Sequence, residues 1–358
     1  MEEKKYFKTI WKTGDLITSE KMNNIEEYLE YLEYIDSIVA SKKVTNRIFK
    51  PRFGINAYWA EASDIYGNHY SGKIQNIYAD ISMWDNHGCD EITIPIQISY
   101  NANTSKFYIV NNLDDMLSAV NYAEQNHDIR ITSIKVHLQR VTQATVNEHG
   151  VDDFKTQYKA LLETIAKKFV GTTVKNMTVL NELGWIYETD SYEDFSLECL
   201  SIAKSNGYST GVTSAGFTNF YKIKESVINN SDKIFVNTYP YVSSKKDNTT
   251  IEDVVNGWKC NYDVEHIRKI KKMYPDKQII ISECGVQDYW DALIVPSYWE
   301  WVNLGLTKTN GLAPSYYLTG LFETLNINEI ESVWWWYDLE WNTTKEVCNY
   351  YLKGEVSE

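Results

Sequence analysis

The run NMTVLNE, residues 176–182, decides how the rest of the chain is read. It begins as a short apolar strand, Met177 to Leu180, and then places an amide and a carboxylate, Asn181 and Glu182, where the strand should end. Seven runs of the same kind lie around it: FGINAYW (53–59), EITIPIQIS (91–99), ITSIKVHLQ (131–139), STGVTSA (209–215), KIFVNTY (233–239), QIIISEC (278–284) and IESVWWWYD (330–338). All are short and rich in β-branched or aromatic residues, the composition of strands buried on both faces. Stretches of helical period separate them: Leu113–Gln125, Phe154–Phe169, Tyr192–Ser205, Asp263–Tyr274 and Ser315–Leu325. Strand and helix in eightfold alternation predict an α/β fold, a (β/α)8 TIM barrel. A doubly wound open sheet would carry a glycine-rich phosphate loop after its first strand, and neither G-x-G-x-x-G nor G-x-x-x-x-G-K-[ST] occurs.

The first 48 residues read differently. After WKTGDLITSEK, the apolar positions Ile25, Tyr28, Leu32, Ile35 and Val39 recur by threes and fours, which predicts a short helical extension ahead of a barrel domain at 49–358. The stripe covers about two heptads, short of what a coiled coil needs. A self-associating helix and an amphipathic helix docked on its own domain both stay open.

Composition narrows the partners. The 358-residue chain has 49 acidic against 35 basic residues and a net charge of -14, which would repel a phosphate backbone or an anionic lipid surface, so no nucleic acid is expected. No stretch is long and apolar enough for membrane insertion, and MEEKKYFKTIW does not resemble a signal peptide. Five cysteines without C-x-x-C spacing suggest free, mostly buried thiols. The six histidines show no H-E-x-x-H or similar spacing, so neither a metal nor another cofactor is expected. With 27 Tyr and 12 Trp, some aromatic rings should face a ligand.

In a barrel of this kind the reacting groups sit at the C-terminal ends of the strands. The fourth strand ends in Asn181-Glu182 and the seventh in Glu283-Cys284-Gly285, and these strands face each other across the barrel mouth. Two carboxylates flanking one bond are what glycoside hydrolysis requires. Alternation turns Cys284 away from that mouth into packing.

LNELGW and IISECG resemble the two signatures of glycoside hydrolase clan A, the retaining (β/α)8 enzymes, over roughly residues 50 to 345. The resemblance implies Glu182 as acid/base, Glu283 as nucleophile, and Asn181 as a partner of the sugar 2-hydroxyl. It implies that Tyr239 touches the nucleophile and that the aromatic platform under the sugar lies in VWWWYD. There Trp334 and Trp336 share one face by alternation, and Trp334 is the chosen platform. His137 on the third strand lines the cleft or is an internally bonded histidine. Asn56, Tyr58 and Trp59 at the end of the first strand form a sugar-binding wall, or pack against helices. The second strand lacks the arginine typical of the cellulase-like branch, and Asn237 stands where that branch often has His. The retaining geometry sets the two carboxyl groups about 5–5.5 Å apart.

The segment WKTGDLITSEKMNNIE is similar to the start of many tail and baseplate proteins of phages that infect Gram-positive bacteria. That resemblance implies phage structural proteins as partners of residues 1–48, and a virion-associated or extracellular location reached without a signal peptide. The expected activity is therefore retaining β-glycoside hydrolysis of a polysaccharide, a bacterial surface glycan, within the chain. The alternatives are a β-mannanase or cellulase acting on plant glycans, and a non-catalytic glycan receptor-binding protein. The segments 240–261 and 286–309 exceed usual loop lengths, and DYWDALIVPSYWEWVN (288–303) is expected to wall the substrate cleft, with a small subdomain or a packed surface excursion as the alternatives.

Overall fold

A computed structural model describes residues 50–59, 73–243, 249–287, 293–294, 312–336 and 342–353. The chain separates into two units, Met1–Lys43 and Val44–Glu358, and every described residue belongs to the second. The expected helix Ile25–Val39, the attachment role of residues 1–48 and most of segment 286–309 lie outside the described residues.

The described residues form nine strands: β1 (Arg52–Asn56), β2 (Glu91–Asn101), β3 (Lys106–Ile109), β4 (Arg130–Leu138), β5 (Asn176–Asn181), β6 (Ser209–Ala215), β7 (Lys233–Asn237), β8 (Gln278–Cys284) and β9 (Ser332–Trp335). Eight are parallel and close on themselves, because β1 pairs with both β2 and β9. The fold is thus a closed (β/α)8 barrel. The ninth strand, β3, is a short antiparallel return along β2, with Ser105 at positive φ in the turn. Its run KFYI has the aromatic and β-branched residues of a strand and stands outside the eight runs read from the sequence.

Period-2 geometry explains the composition of the barrel wall. On β2 the isoleucines 92, 94, 96 and 98 are fully buried, while the alternate positions Glu91, Thr93 and Gln97 are polar and also buried. One face meets the helix layer and the other fills the barrel. The interior is apolar in part, where Phe235, Ile280 and Trp334 cluster, and polar elsewhere. Helices 113–126 and 251–259 start where side chains satisfy their free amides: Asn112 accepts from the amides of Asp114 and Asp115, and Thr250 forms a capping box with Asp253.

One register shift falls near the start of β2, between Ile92 and Thr93, and the rest gather at the other end of the wall. Register shifts fall between Thr178 and Asn181 on β5, between Val236 and Asn237 on β7, and between Ile281 and Cys284 on β8. All three lie at C-terminal strand ends. Such irregularities bend a strand and re-aim its side chains, and here they act on the residues that carry Asn181, Glu182, Asn237 and Glu283.

Candidate active site

Glu283, near the end of β8, is 6% exposed and accepts from three donors. Lys135 Nζ lies 2.8 Å from its Oε1, Tyr58 donates to the same oxygen at 3.1 Å, and Tyr239 donates to Oε2 at 3.0 Å. The Lys135 ammonium also donates to the Ser282 carbonyl at 2.6 Å. Lys135 is wholly buried inside the barrel; burial lowers its pKa and the charge of Glu283 opposes that. A buried pair of this kind holds together because removing either charge strands the other in a low-dielectric interior.

Glu182 directly follows β5 and has a φ of 55°, in the left-handed region that non-glycine residues seldom occupy. Its amide donates to the Thr213 carbonyl at 2.8 Å, which fixes this turn against β6. Its Oε1 accepts from Asn237 Nδ2 at 2.9 Å. By surface area the residue is exposed, and water reaches it along an open groove; its carboxyl group is nonetheless hemmed in by protein. That crowding, with the negative charge of Glu283 as the second cause, raises its pKa to about 7 against the opposing pull of the Asn237 bond and Lys135.

Asn237 joins the two halves. Its Oδ1 accepts from Ser282 Oγ at 2.7 Å while its amide reaches Glu182, so the residue ahead of Glu283 is tied to the opposite carboxyl. Asn181 is buried; it donates to His137 Nδ1 at 3.1 Å and accepts from Asn237 at 3.4 Å. For a neutral His137 ring, that contact puts the proton on Nε2. His137 is half-buried.

The aromatic assignments need correction. Trp334 is fully buried in the barrel, against Phe235, with its indole N–H donating to Glu91 at 2.9 Å, so it is not the platform. Trp336 shares its face two residues nearer the mouth, is half-buried, and meets Tyr58 and Tyr239 edge-on at 6.4 and 5.7 Å between ring centroids. Alternation fixes the face of a side chain and leaves its depth open. Trp59 is also fully buried, stacked on Trp84 and donating to Asp80, and Asn56 donates to backbone carbonyls of Ser282 and Trp334. Both hold the barrel end together and neither forms a sugar wall. Tyr58, between them in sequence, does reach the site. Cys284 is buried beside Tyr317, and burial pushes its thiol up to about 12.

Lys135 was missed by the sequence reading. Its signal was present: it precedes His137 by two on one strand, so both point into the barrel.

A groove of about 830 Å³ leads away from Glu182, lined by residues that follow β6 and β7 and by the junction of helices 251–259 and 262–273. Among the described residues no cluster of three His, Cys, Asp or Glu side chains is placed to hold a metal ion. The arrangement offers a carboxyl group still partly protonated near neutral pH, and opposite it a carboxylate fixed by an ammonium and two phenols.

No family model matches the sequence, and no curated protein matches it. Solved structures do. A β-1,4-mannanase of glycoside hydrolase family 113 superimposes with a TM-score of 0.61 at 12% identity, covering 86% of this chain and 100% of that one. The family 113 β-mannanase of Alicyclobacillus acidocaldarius, solved with the ligand ManMIm, gives 0.60 at 10% identity over 86% of this chain and 98% of its own. A family 5, subfamily 18 protein of Streptomyces cattleya, in complex with Manβ1-4GlcNAc, gives 0.52 at 12% identity over 80% and 71%. At such identities the likeness is one of fold, the (β/α)8 barrel.

Proposed function

We propose that the chain is a retaining β-glycoside hydrolase that cleaves a polysaccharide within its chain, with Glu182 as acid/base and Glu283 as nucleophile. The observation that carries the reading is the contrast between the two carboxyl groups. One has its pKa raised to about 7, and the other is ion-paired to a buried lysine and held by two tyrosines. An acid whose pKa is raised by burial and by the charge of a neighbouring carboxylate is what the acid/base role requires.

In the first half-reaction Glu283 attacks the anomeric carbon while Glu182 gives its proton to the departing oxygen. Tyr58, Tyr239 and Lys135 hold the attacking carboxylate, so it does not reorganise as charge moves onto the sugar. Once Glu283 is esterified its negative charge is gone, and with it the second cause of the high pKa of Glu182. Glu182 is then the stronger acid and rests as a carboxylate, ready to take a proton from the water that releases the sugar. Trp336, beside Tyr58 and Tyr239, supplies the apolar face under the reacting ring, and Asn181 the contact to its 2-hydroxyl.

The glycan is a surface polysaccharide of a bacterium, and residues 1–48 attach the enzyme to a phage particle; the support for this part is their sequence alone. A chain starting at Thr45 should then keep the hydrolytic rate while losing association with particle proteins. β-1,4-Mannan is the first substrate to try, because the family 113 neighbours are described as mannanases. The test is incubation with β-mannans, β-glucans and purified wall polysaccharides, with the anomer of the first-formed product followed by NMR. Release of the β-anomer from one of them is expected. Initial release of the α-anomer, or no cleavage of any glycan, would overturn the reading.

A further inference from the structure

The groove beside Glu182 has a wall that the chemistry above does not use. Glu182 belongs to its lining and Glu283 does not. An acid/base group hands its proton to the oxygen that leaves with the reducing-end part of the chain, whereas the nucleophile contacts the sugar that stays. A groove lined by the acid and not by the nucleophile therefore starts where the leaving group is expelled. Its lining also includes Phe217, Thr238, Asp263, Tyr241 and Tyr262.

These two tyrosines are unusual. They are 55% and 58% exposed, among the most exposed large apolar side chains in the described residues. Their backbone is nonetheless fixed. Gly257 lies so close to the carbonyl of Val242 that a Cβ there would sit 1.9 Å from its oxygen, which clamps the Tyr241 segment onto helix 251–259. Asn261 donates to the Tyr241 carbonyl at 2.8 Å, and the Val242 amide donates to Leu293. Tyr262 opens helix 262–273 and is backed by the His266 ring, with centroids 3.9 Å apart. Exposed rings on a fixed backbone suit stacking against the apolar face of a pyranose, because little ordering remains to be done when the sugar binds. Asp263, whose pKa is raised by burial and which accepts from Thr238 at 2.6 Å, adds a polar group to the same lining. The volume lies within the roughly 300–1,000 Å³ typical of sites for multi-ring ligands.

We propose that this groove is a leaving-group site for the reducing-end portion of a β-linked glycan, with Tyr241 and Tyr262 as its stacking platforms. The proposal rests on Glu182 being the acid, and so on the hydrolase reading. It predicts that turnover depends on the sugars beyond the scissile bond.

Two measurements test it. Tyr241→Ala and Tyr262→Ala are assayed on the polysaccharide that is cleaved and on the p-nitrophenyl glycoside of the same sugar, whose leaving group is a single ring. The loss in kcat/KM on polymer should exceed the loss on the aryl glycoside by about tenfold. Equal losses on both would overturn the proposal. The second measurement needs no turnover. Cys260 lines the groove and is exposed, while the other four cysteines are buried. Its alkylation by N-ethylmaleimide is timed in Glu283→Gln, and in Glu182→Gln should the first variant fold poorly, with mannohexaose, cellohexaose or each soluble wall polysaccharide. At least one glycan should slow the reaction; unchanged rates with all of them would overturn the proposal. If no glycan is cleaved but one protects Cys260, the hydrolase reading and the leaving-group role fall together, and the groove is a glycan-binding site alone.

Discussion

The barrel buries a glutamate at each end, and the two ends differ in what surrounds it. At the N-terminal end, Glu91 is 1% exposed and accepts from Ser332, Trp334 Nε1 and Thr132, with Arg52 3.2 Å away. Gly54 makes room for it, since a Cβ there would lie 2.7 Å from Glu91 Cγ. At the C-terminal end, Glu283 has a comparable set of donors in Lys135, Tyr58 and Tyr239. Burial and a cation are common to both. At the N-terminal end the neighbouring carboxylate, Glu331, is bridged to Glu91 by Arg52, whereas the carboxyl group that feels the charge of Glu283 is not bridged to it by a cation and opens on a groove. A buried, well-bonded glutamate is a structural device until a second carboxyl group that a ligand can reach shares its field.

Exchanging each glutamate for its amide is the most severe trial of that contrast. Glu283→Gln should lower turnover by at least about 10³-fold, because a nucleophile has no substitute. Glu91→Gln should leave kcat intact and cost stability instead, about 1–3 kcal/mol in urea unfolding, because one acceptor in a closed network becomes a donor. Similar loss of activity in both variants would erase the distinction.

The next effect is electrostatic. Lys135→Met should reduce turnover by about 10²-fold, the scale for removing a preorganised charge from a reacting group. It should also move the pH profile. Glu182 must be protonated to act, so wild-type activity should fall as pH rises through about 7. Lys135 holds the pKa of Glu182 down, so its loss should shift that alkaline limb to higher pH. An unmoved limb would show that Lys135 does not act on the acid.

The tryptophans of β9 and its exit give the smallest separation in sequence and opposite consequences. Trp336→Ala should weaken glycan turnover with little change in Tm. Trp334→Ala should cost about 3–5 kcal/mol of stability, the range for emptying a buried aromatic site. The reverse pattern would restore Trp334 as the platform.

The eight barrel strands were legible because β-branched runs in alternation with helical periods leave few other architectures. The two glutamates were legible because a strand end is a fixed position in that architecture. Depth was not: Asn56, Trp59 and Trp334 have the right residue types near the mouth, and period-2 reasoning cannot tell the rim from the layer below. The irregularities in β5, β7 and β8 were also invisible, since a register shift depends on the neighbouring strand. Lys135 needed only its parity with His137 to be noticed. Asn237 was read as a departure from a resembled pattern, and in the fold it is the hydrogen-bonded link between Glu182 and the strand of Glu283. Helix 251–259, which builds one side of the groove, had a readable start in its Thr250-x-x-Asp253 pattern.

The coupling between the two carboxyl groups can be measured directly. The carboxyl carbon of Glu182 is followed by ¹³C NMR through a pH titration in the wild-type protein and in Glu283→Gln. The account predicts a midpoint near 7 in the wild type, falling in the variant as the like charge is removed while burial keeps it above the ordinary value of 4.5. A midpoint at the ordinary carboxylate value, unmoved by the substitution, would contradict it.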